Sequence, residues 1–184
     1  MPPAPLSIAD LLHRYAALVS RLDAEITRVA ALHDGRLLCR AGCDSCCGRF
    51  SLSLVETQAL RAAMSALPAD LRRMVREAAA LQDPAAPCPL LLNRRCAVYP
   101  HRPVICRTQG LPIGYIDHQQ ASIEVSACPM NFGPETNFSA NELLFLDEWN
   151  ESLSSINADL AARLGADPQI RVEISLLAAM AAPG

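Results

Sequence analysis

Eight cysteines carry most of the chemistry this chain can offer: Cys39, Cys43, Cys46, Cys47, Cys88, Cys96, Cys106 and Cys128. Four of them fall within nine residues. Thiolates in such numbers suit Zn²⁺, Cu⁺ and iron–sulfur centres. Cys43 and Cys46 make a C-x2-C pair, the spacing that lets two sulfurs reach one ion from a tight turn. Gly42 and Gly48 flank the group, and glycine accepts the positive φ that such turns use. Cys46 and Cys47 are adjacent, and neighbouring side chains point apart. The pair therefore bridges two ions, splits into one ligand and one supporting thiol, or belongs to a polynuclear centre. Four thiolates around a divalent ion leave a net charge of −2, which a protein interior must offset. Arg40, Arg49, Arg94, Arg95, Arg102 and Arg107 each lie within a few residues of a cysteine. They read either as solvated loop residues or as N–H donors to sulfur. The plainer alternative, eight structural core thiols, sits poorly with AGCDSCCGR, which is polar and glycine-flanked.

Disulfides are the competing use of cysteine, and compartment decides between them. The opening MPPAPLSIADLLHRY has no basic segment followed by an apolar run, so it does not read as a secretory signal. No stretch reaches the roughly 18 apolar residues of a membrane span. The expectation is a cytoplasmic protein with reduced thiols, engaging neither membrane nor nucleic acid; the net charge of −3 supplies no field to draw it onto a polyanion. A metal ion is the one partner the residues imply, zinc or iron, with an iron–sulfur cluster as a third form. All sixteen basic residues are Arg, which removes Lys-based phosphate loops and Schiff bases. No dinucleotide fingerprint, phosphate loop or H-E-x-x-H occurs, and Ser45 and Ser51 have no His–Asp partner at recognisable spacing. The chain thus leans away from enzymes. A thiol or iron–sulfur redox enzyme or sensor stays open, carried by Cys46 and Cys47 if nearby Arg lowers their pKa. So does an adaptor whose metal shapes a protein-binding surface. His13, His33 and His118 are expected to face solvent, as is His101, the one imidazole placed to substitute for a thiolate. Asp44 is expected to brace the loop through backbone N–H groups.

The elements that must position these residues read as helices, in keeping with a composition led by Ala and Leu and only 4% aromatic. Ile8, Leu11, Leu12, Tyr15, Leu18, Leu22, Ile26 and Val29 recur at helical spacing, predicting a helix over 7–33 capped by Ser7 or Asp10. Ser53 with Glu56 is a capping box for a helix over about 54–66. A third helix is expected from Asp70 to about Leu81, with Leu71, Met74, Val75 and Ala78 on one face. Prolines 84, 87, 89, 100, 103 and 112 forbid a helix across the 83–112 segment, which is expected to be an ordered loop. A short hairpin is expected from 111–115 and 121–125. A long helix over 141–164 draws its apolar face from Leu143, Leu144, Leu146 and Trp149, and a last helix over 170–180 precedes a fraying tail. The whole predicts a mainly α, single domain over 1–184: an N-terminal helix (7–33), a cysteine loop (39–49), a Pro/Cys loop (83–112) and C-terminal helices (140–180) around an irregular centre.

The segments CRAGCDSCC (39–47), CPLLLNRRCAVYPHRPVICRTQG (88–110) and CPMNF (128–132) together resemble the YkgJ-like cysteine-cluster proteins, a family with a CxxCxxCC signature credited with chelating zinc or iron. The chain departs from that signature in its first gap, three residues between Cys39 and Cys43 where the signature has two. By position, the resemblance implies that Cys39, Cys43, Cys46, Cys47, Cys88, Cys96 and Cys106 are the family's metal cysteines. Cys128 matches a later cysteine of many members. It also implies that Tyr99, Arg102 and Pro103 shape a turn that orients Cys106. A related motif occurs in the larger flagellin lysine methylases, whose activity is not carried onto this chain.

Overall fold

The computed structural model describes residues 6–40, 42–81, 83, 85–117 and 119–181. Pro84, His118 and the last three residues of the tail, on which the sequence carries expectations, lie outside them. Helices account for 48% of the chain and strands for 12%, so the fold is mainly α.

Helix α1, Ile8–Leu32, begins at a reciprocal capping box. The Ser7 hydroxyl accepts from the Asp10 amide, and the Ser7 amide donates to the Asp10 carboxylate. Leu11, Tyr15, Leu18, Leu22 and Val29 of the expected stripe are buried, whereas Ile8 is exposed. Strand β1 (Ser51–Leu52) leads through Ser53 into α2, Leu54–Ser65, whose capping box with Glu56 forms as expected. Helix α3, Ala69–Ala79, follows Pro68 and buries only Val75 of the expected face.

The proline-rich segment is more regular than its composition suggests. Strands β2 (Leu91–Leu92) and β3 (Arg95–Cys96) pair around a two-residue turn, Asn93–Arg94, both at positive φ. A 3-10 turn over Tyr99–His101 precedes a five-residue helix α4, Val104–Thr108, which starts directly after Pro103. The helix fits because proline is tolerated at a helix start, and no proline occurs again until Pro112. Leu90, Val98, Val104 and Leu111 are all buried, so the segment is anchored by its own apolar side chains.

The expected hairpin forms slightly further along: β4 (Ile113–Asp117) pairs antiparallel with β5 (Ser122–Ser126). The long helix expected over 141–164 starts later. Ala140–Glu142 is a 3-10 turn, and β6 (Leu144–Phe145) runs parallel to Ile113–Gly114, with the Leu144 amide donating to the Pro112 carbonyl. Sheet pairing captures the leucines that helical spacing had claimed. Helix α5 is Asp147–Leu164, ended by Gly165 in the left-handed region. Of the last expected helix, only α6 (Ile174–Ala179) is helical; β7 (Val172–Glu173) pairs with β1.

Two apolar clusters result. One gathers α1, α5, β6 and residues Val104, Leu111 and Ile113. The other gathers Leu52, Leu60, Met64, Val75, Leu90, Val98 and α6, and it includes Cys88, with Cys47 and Cys96 packed against it.

Candidate metal centre

The first cysteine loop is built by tight turns. The Cys43 amide donates to the Arg40 carbonyl, Cys47 to Asp44 and Gly48 to Cys46. Gly42 takes φ +94, the left-handed geometry expected of it. Cys39 is held from a distance: Asn131 Nδ2 donates to its sulfur at 3.5 Å and to the Gly110 carbonyl at 2.7 Å, while Asn131 Oδ1 accepts from the Leu38 amide. Gly110 has φ +93, and a Cβ built there would collide with Cys39 Sγ. The glycine of the C-R-T-x-G stretch thus makes room for a thiol seventy residues earlier in the chain.

The second loop supplies Cys88, Cys96 and Cys106. The Cys88 amide donates to the Cys47 carbonyl at 2.8 Å, tying the two loops backbone to backbone. The Leu90 amide reaches the Cys88 sulfur and the Val98 amide the Cys96 sulfur; each contact favours the thiolate. Cys106 rides on α4. The start of that helix is held by Glu56, whose one oxygen closes the α2 capping box while the other accepts from the Val104 amide. Glu56 is buried, and sequence reasoning saw only its capping half.

The arginines divide by role. Arg94, at the β2–β3 turn, pairs with Asp44 (3.0 Å) and donates to the Gly42 carbonyl, latching the hairpin onto the first loop. The Asp44 carboxylate thus braces the loop through the Arg94 guanidinium, where backbone N–H partners were expected. Arg49 donates to the Ala78 and Leu81 carbonyls at the end of α3. Arg107, whose side chain is only 8% exposed, grips Asp23 of α1 with one nitrogen on both carboxylate oxygens and donates to the Pro100 and Arg102 carbonyls. Arg102 stacks on Tyr99 at 3.8 Å, donates to the Cys106 carbonyl, and lends positive potential to Cys47, Cys96 and Cys106. Arg40 and Arg95 line the cavity described next.

Seven cysteines, all but Cys128, line one cavity of about 480 Å³. Burial sorts them. Cys47, Cys88, Cys96 and Cys106 form an inner group in mutual electrostatic reach, with Phe50, Leu90, Val98 and Ile174 among the apolar walls. Burial pushes the Cys88 thiol up to about 11 and Cys106 to about 12, and like charge from neighbouring thiolates adds to both. Cys47 and Cys96 are raised for the same leading reason. The outer group is Cys39, Cys43 and Cys46; Cys39 and Cys46 are exposed. Cys46 is raised by burial and then by Cys47, with smaller effects from Cys39 and Cys43. Cys46 and Cys47, adjacent in the chain, also meet each other: a side-chain hydrogen bond from Cys46 favours the Cys47 thiolate.

The donor chemistry fits a thiophilic ion: soft sulfurs, amide N–H groups aimed at three of them, and Arg102 beside the inner group. Among the described residues, no three His, Cys, Asp or Glu side chains close on one point as a finished cage. The thiols line the cavity in protonated form, and an ion would have to displace those protons as it drew the sulfurs inward. All eight cysteines are free thiols, none paired in a disulfide.

Cys128 lies apart, in a second cleft of about 750 Å³ that also reaches Cys46, Gln109, Tyr115 and Met130. His101 and His13 are exposed, as expected. His33 is not: it is fully buried between Phe132 and Phe138, with Nε2 against the Glu142 carbonyl. His33 is the C-cap of α1, its amide donating to the Ala30 carbonyl, and the two phenylalanines close over its ring. No described helix is long and apolar enough to cross a membrane.

A family model described as "CxxCxxCC: Putative zinc- or iron-chelating domain" matches residues 38–129, the span that runs from the first cysteine loop through Cys128. No curated protein and no solved structure matches the chain.

Proposed function

The chain belongs to the CxxCxxCC family, and on that premise we propose that it is a metal-binding protein whose inner thiols, Cys47, Cys88, Cys96 and Cys106, hold a zinc or iron ion or an iron–sulfur centre. The observation that carries the reading is the convergence of thiols from two distant segments on one cavity, tied by the Cys88–Cys47 backbone bond. Four inner thiolates satisfy a closed tetrahedral site. When bound, the metal would supply a cross-link between the two cysteine loops within a single domain. Arg102 would offset part of the thiolate charge, and the Leu90 and Val98 amides would hold two sulfurs deprotonated and in place.

The redox reading asks for a reactive thiol with a lowered pKa. Burial moves Cys46 and Cys47 the opposite way, which weighs against it. The adaptor reading is favoured by exposed Leu38, Tyr99, Ile105 and Met130 around the cysteine loops.

Anaerobic purification followed by metal and acid-labile sulfide analysis tests the proposal. Zinc without sulfide, or iron with or without it, is expected at about stoichiometric level. Cys88→Ser with Cys106→Ser should strip the inner metal. Full metal content in that double variant, or none in the wild type, would dispose of the assignment.

A further inference from the structure

We infer that the mouth of the cysteine cavity is a docking surface for an acidic segment of a partner protein, gripped by Arg40 and Arg95 and seated on Tyr99 and Leu38. Such a partner is the one the adaptor reading calls for, and it is tested separately from the ion.

Charge is divided unevenly along the chain. Residues 36–50 and 88–110 hold seven of the sixteen arginines but only one of the nineteen acidic residues, Asp44. The net charge of −3 therefore conceals a basic region within an acidic remainder. The fold then gathers that charge. Arg40, Arg94, Arg95 and Arg102, drawn from both loops, all line the cavity of the thiols.

Most of the seven arginines are already engaged. Arg36 covers the Phe132 ring at 4.9 Å, and Arg49, Arg94, Arg102 and Arg107 hold the carbonyl, carboxylate and ring partners described above. Arg40 and Arg95 are exposed, and among the described residues no hydrogen bond, ion pair or ring contact takes either side chain. Nor do these two steady the buried sulfurs, where the positive potential comes from Arg102 and, at Cys88, from Arg49. Two guanidiniums without a partner in the chain match carboxylates brought from outside it.

The same rim offers apolar contact. Tyr99, on the cavity wall, is exposed and held in place by Arg102 stacked on its ring. Leu38, next to Cys39, is exposed while its amide is pinned by Asn131. Tyrosine and arginine are the side chains on which the energy of protein contacts concentrates. Exposed leucine and tyrosine among the cations favour a protein over a nucleic acid, whose phosphates answer the charge alone. A concave mouth also receives a projecting segment better than it meets a flat bilayer. The segment that fits carries carboxylates interspersed with apolar side chains.

The probe is a short fluorescein-labelled peptide alternating Glu with Leu, titrated with the full chain and read by anisotropy beside the same peptide with Gln for Glu. The Glu peptide should bind, and should weaken as sodium chloride rises; the Gln peptide should bind about tenfold less tightly. Arg40→Ala with Arg95→Ala should weaken the Glu peptide about tenfold and keep the metal content of the wild type. Arg61→Ala with Arg163→Ala removes the same charge from exposed positions on α2 and α5 and should bind as the wild type does. Tyr99→Ala should weaken both peptides alike. Equal losses in the two double variants would reduce the effect to net charge and overturn the surface. Metal lost together with peptide binding in the first double variant would show its guanidiniums serving the sulfurs, and would overturn it too. A wild type indifferent to the Glu peptide would overturn the protein partner; sedimentation with phosphatidylserine vesicles, abolished in the same double variant, would then make the mouth a membrane contact.

Discussion

Metal capture by the inner thiols should be steeply pH-dependent, because the metal must displace protons that burial holds in place. With the Cys88 thiol near 11 and the Cys106 thiol near 12, only about one in ten thousand of the first and one in a hundred thousand of the second is ionised at pH 7. An unperturbed thiol would be about 3% ionised. Cys47 and Cys96 are raised as well, so nearly every ligand enters the site protonated. Filling four such positions with one divalent ion releases close to four protons, and the logarithm of the apparent affinity should climb by about four per pH unit between pH 6 and 8. Competition against a chromophoric chelator across that range gives the slope. Calorimetry in two buffers of different ionisation enthalpy counts the protons independently. The sign for the metal-free protein is opposite. The folded chain keeps protons on Cys88 and Cys106 that the unfolded chain surrenders near pH 8.5–9, so its stability should fall as pH rises from there towards 12. A slope of two or less would mean that the inner thiols are pre-ionised or that fewer than four bind, and would refute the reasoning.

Gly110→Ala places a methyl group against Cys39 Sγ at φ +93. Backbone strain alone should cost about 1–2 kcal/mol in thermal or urea unfolding, and an unchanged midpoint would contradict the close approach of Gly110 to Cys39. Glu56→Ala leaves the Ser53 and Val104 amides without their buried acceptor and should cost about 1–3 kcal/mol, with inner metal affinity falling because α4 carries Cys106; equal metal affinity in a folded variant would contradict the link. Arg94→Ala, an exposed ion pair, should change stability by less than about 1 kcal/mol. Its effect should appear as faster metal loss to a chelator, and an unchanged off-rate would show that the latch on the first loop is idle.

Legibility in the sequence followed locality. Helix α1 and helix α2 announce themselves through caps and periodicity, signals contained within one turn or one face, and both begin where those signals say. The start of α5 does not, because Leu143, Leu144 and Leu146 satisfy a helical pattern equally well as a strand edge and core plug; pairing with Ile113–Gly114 decides, and that partner is some thirty residues away. The α4 helix hides behind a proline count that treats every proline as a breaker, whereas Pro103 sits where a helix begins. His33 looked exposed because polar residues usually are; the aromatic pocket that takes it is supplied by Phe132 and Phe138 from beyond the hairpin. The cysteines were legible as donors from type and spacing alone. Asn131 and Gly110 belong to stretches the sequence had marked, CPMNF and CRTQG, but their shared task of seating Cys39 exists only in three dimensions.

The loops that hold the thiols are joined by bonds that owe nothing to a metal, and this sets how the protein should respond to losing one. Leu90, Val98, Val104 and Leu111 each bury enough apolar surface to contribute about 1.5–3 kcal/mol, and the Cys88–Cys47 backbone bond, the Glu56 bridge and the Arg107–Asp23 pair add to them. A small zinc-dependent finger lacks such anchors and unfolds without its ion. Here chelation should leave the far-ultraviolet circular dichroism nearly unchanged, since α1, α2 and α5 pack on one another through the first apolar cluster. The loss should register locally instead, as faster amide exchange at Cys96–Val98 and in the 42–48 loop, whose sulfurs take up protons and lose their shared partner once the cation is gone. Global unfolding on chelation would mean that the metal, rather than the leucines and valines behind it, holds the second loop. The cavity would then have to be read as a product of binding instead of a site prepared for it.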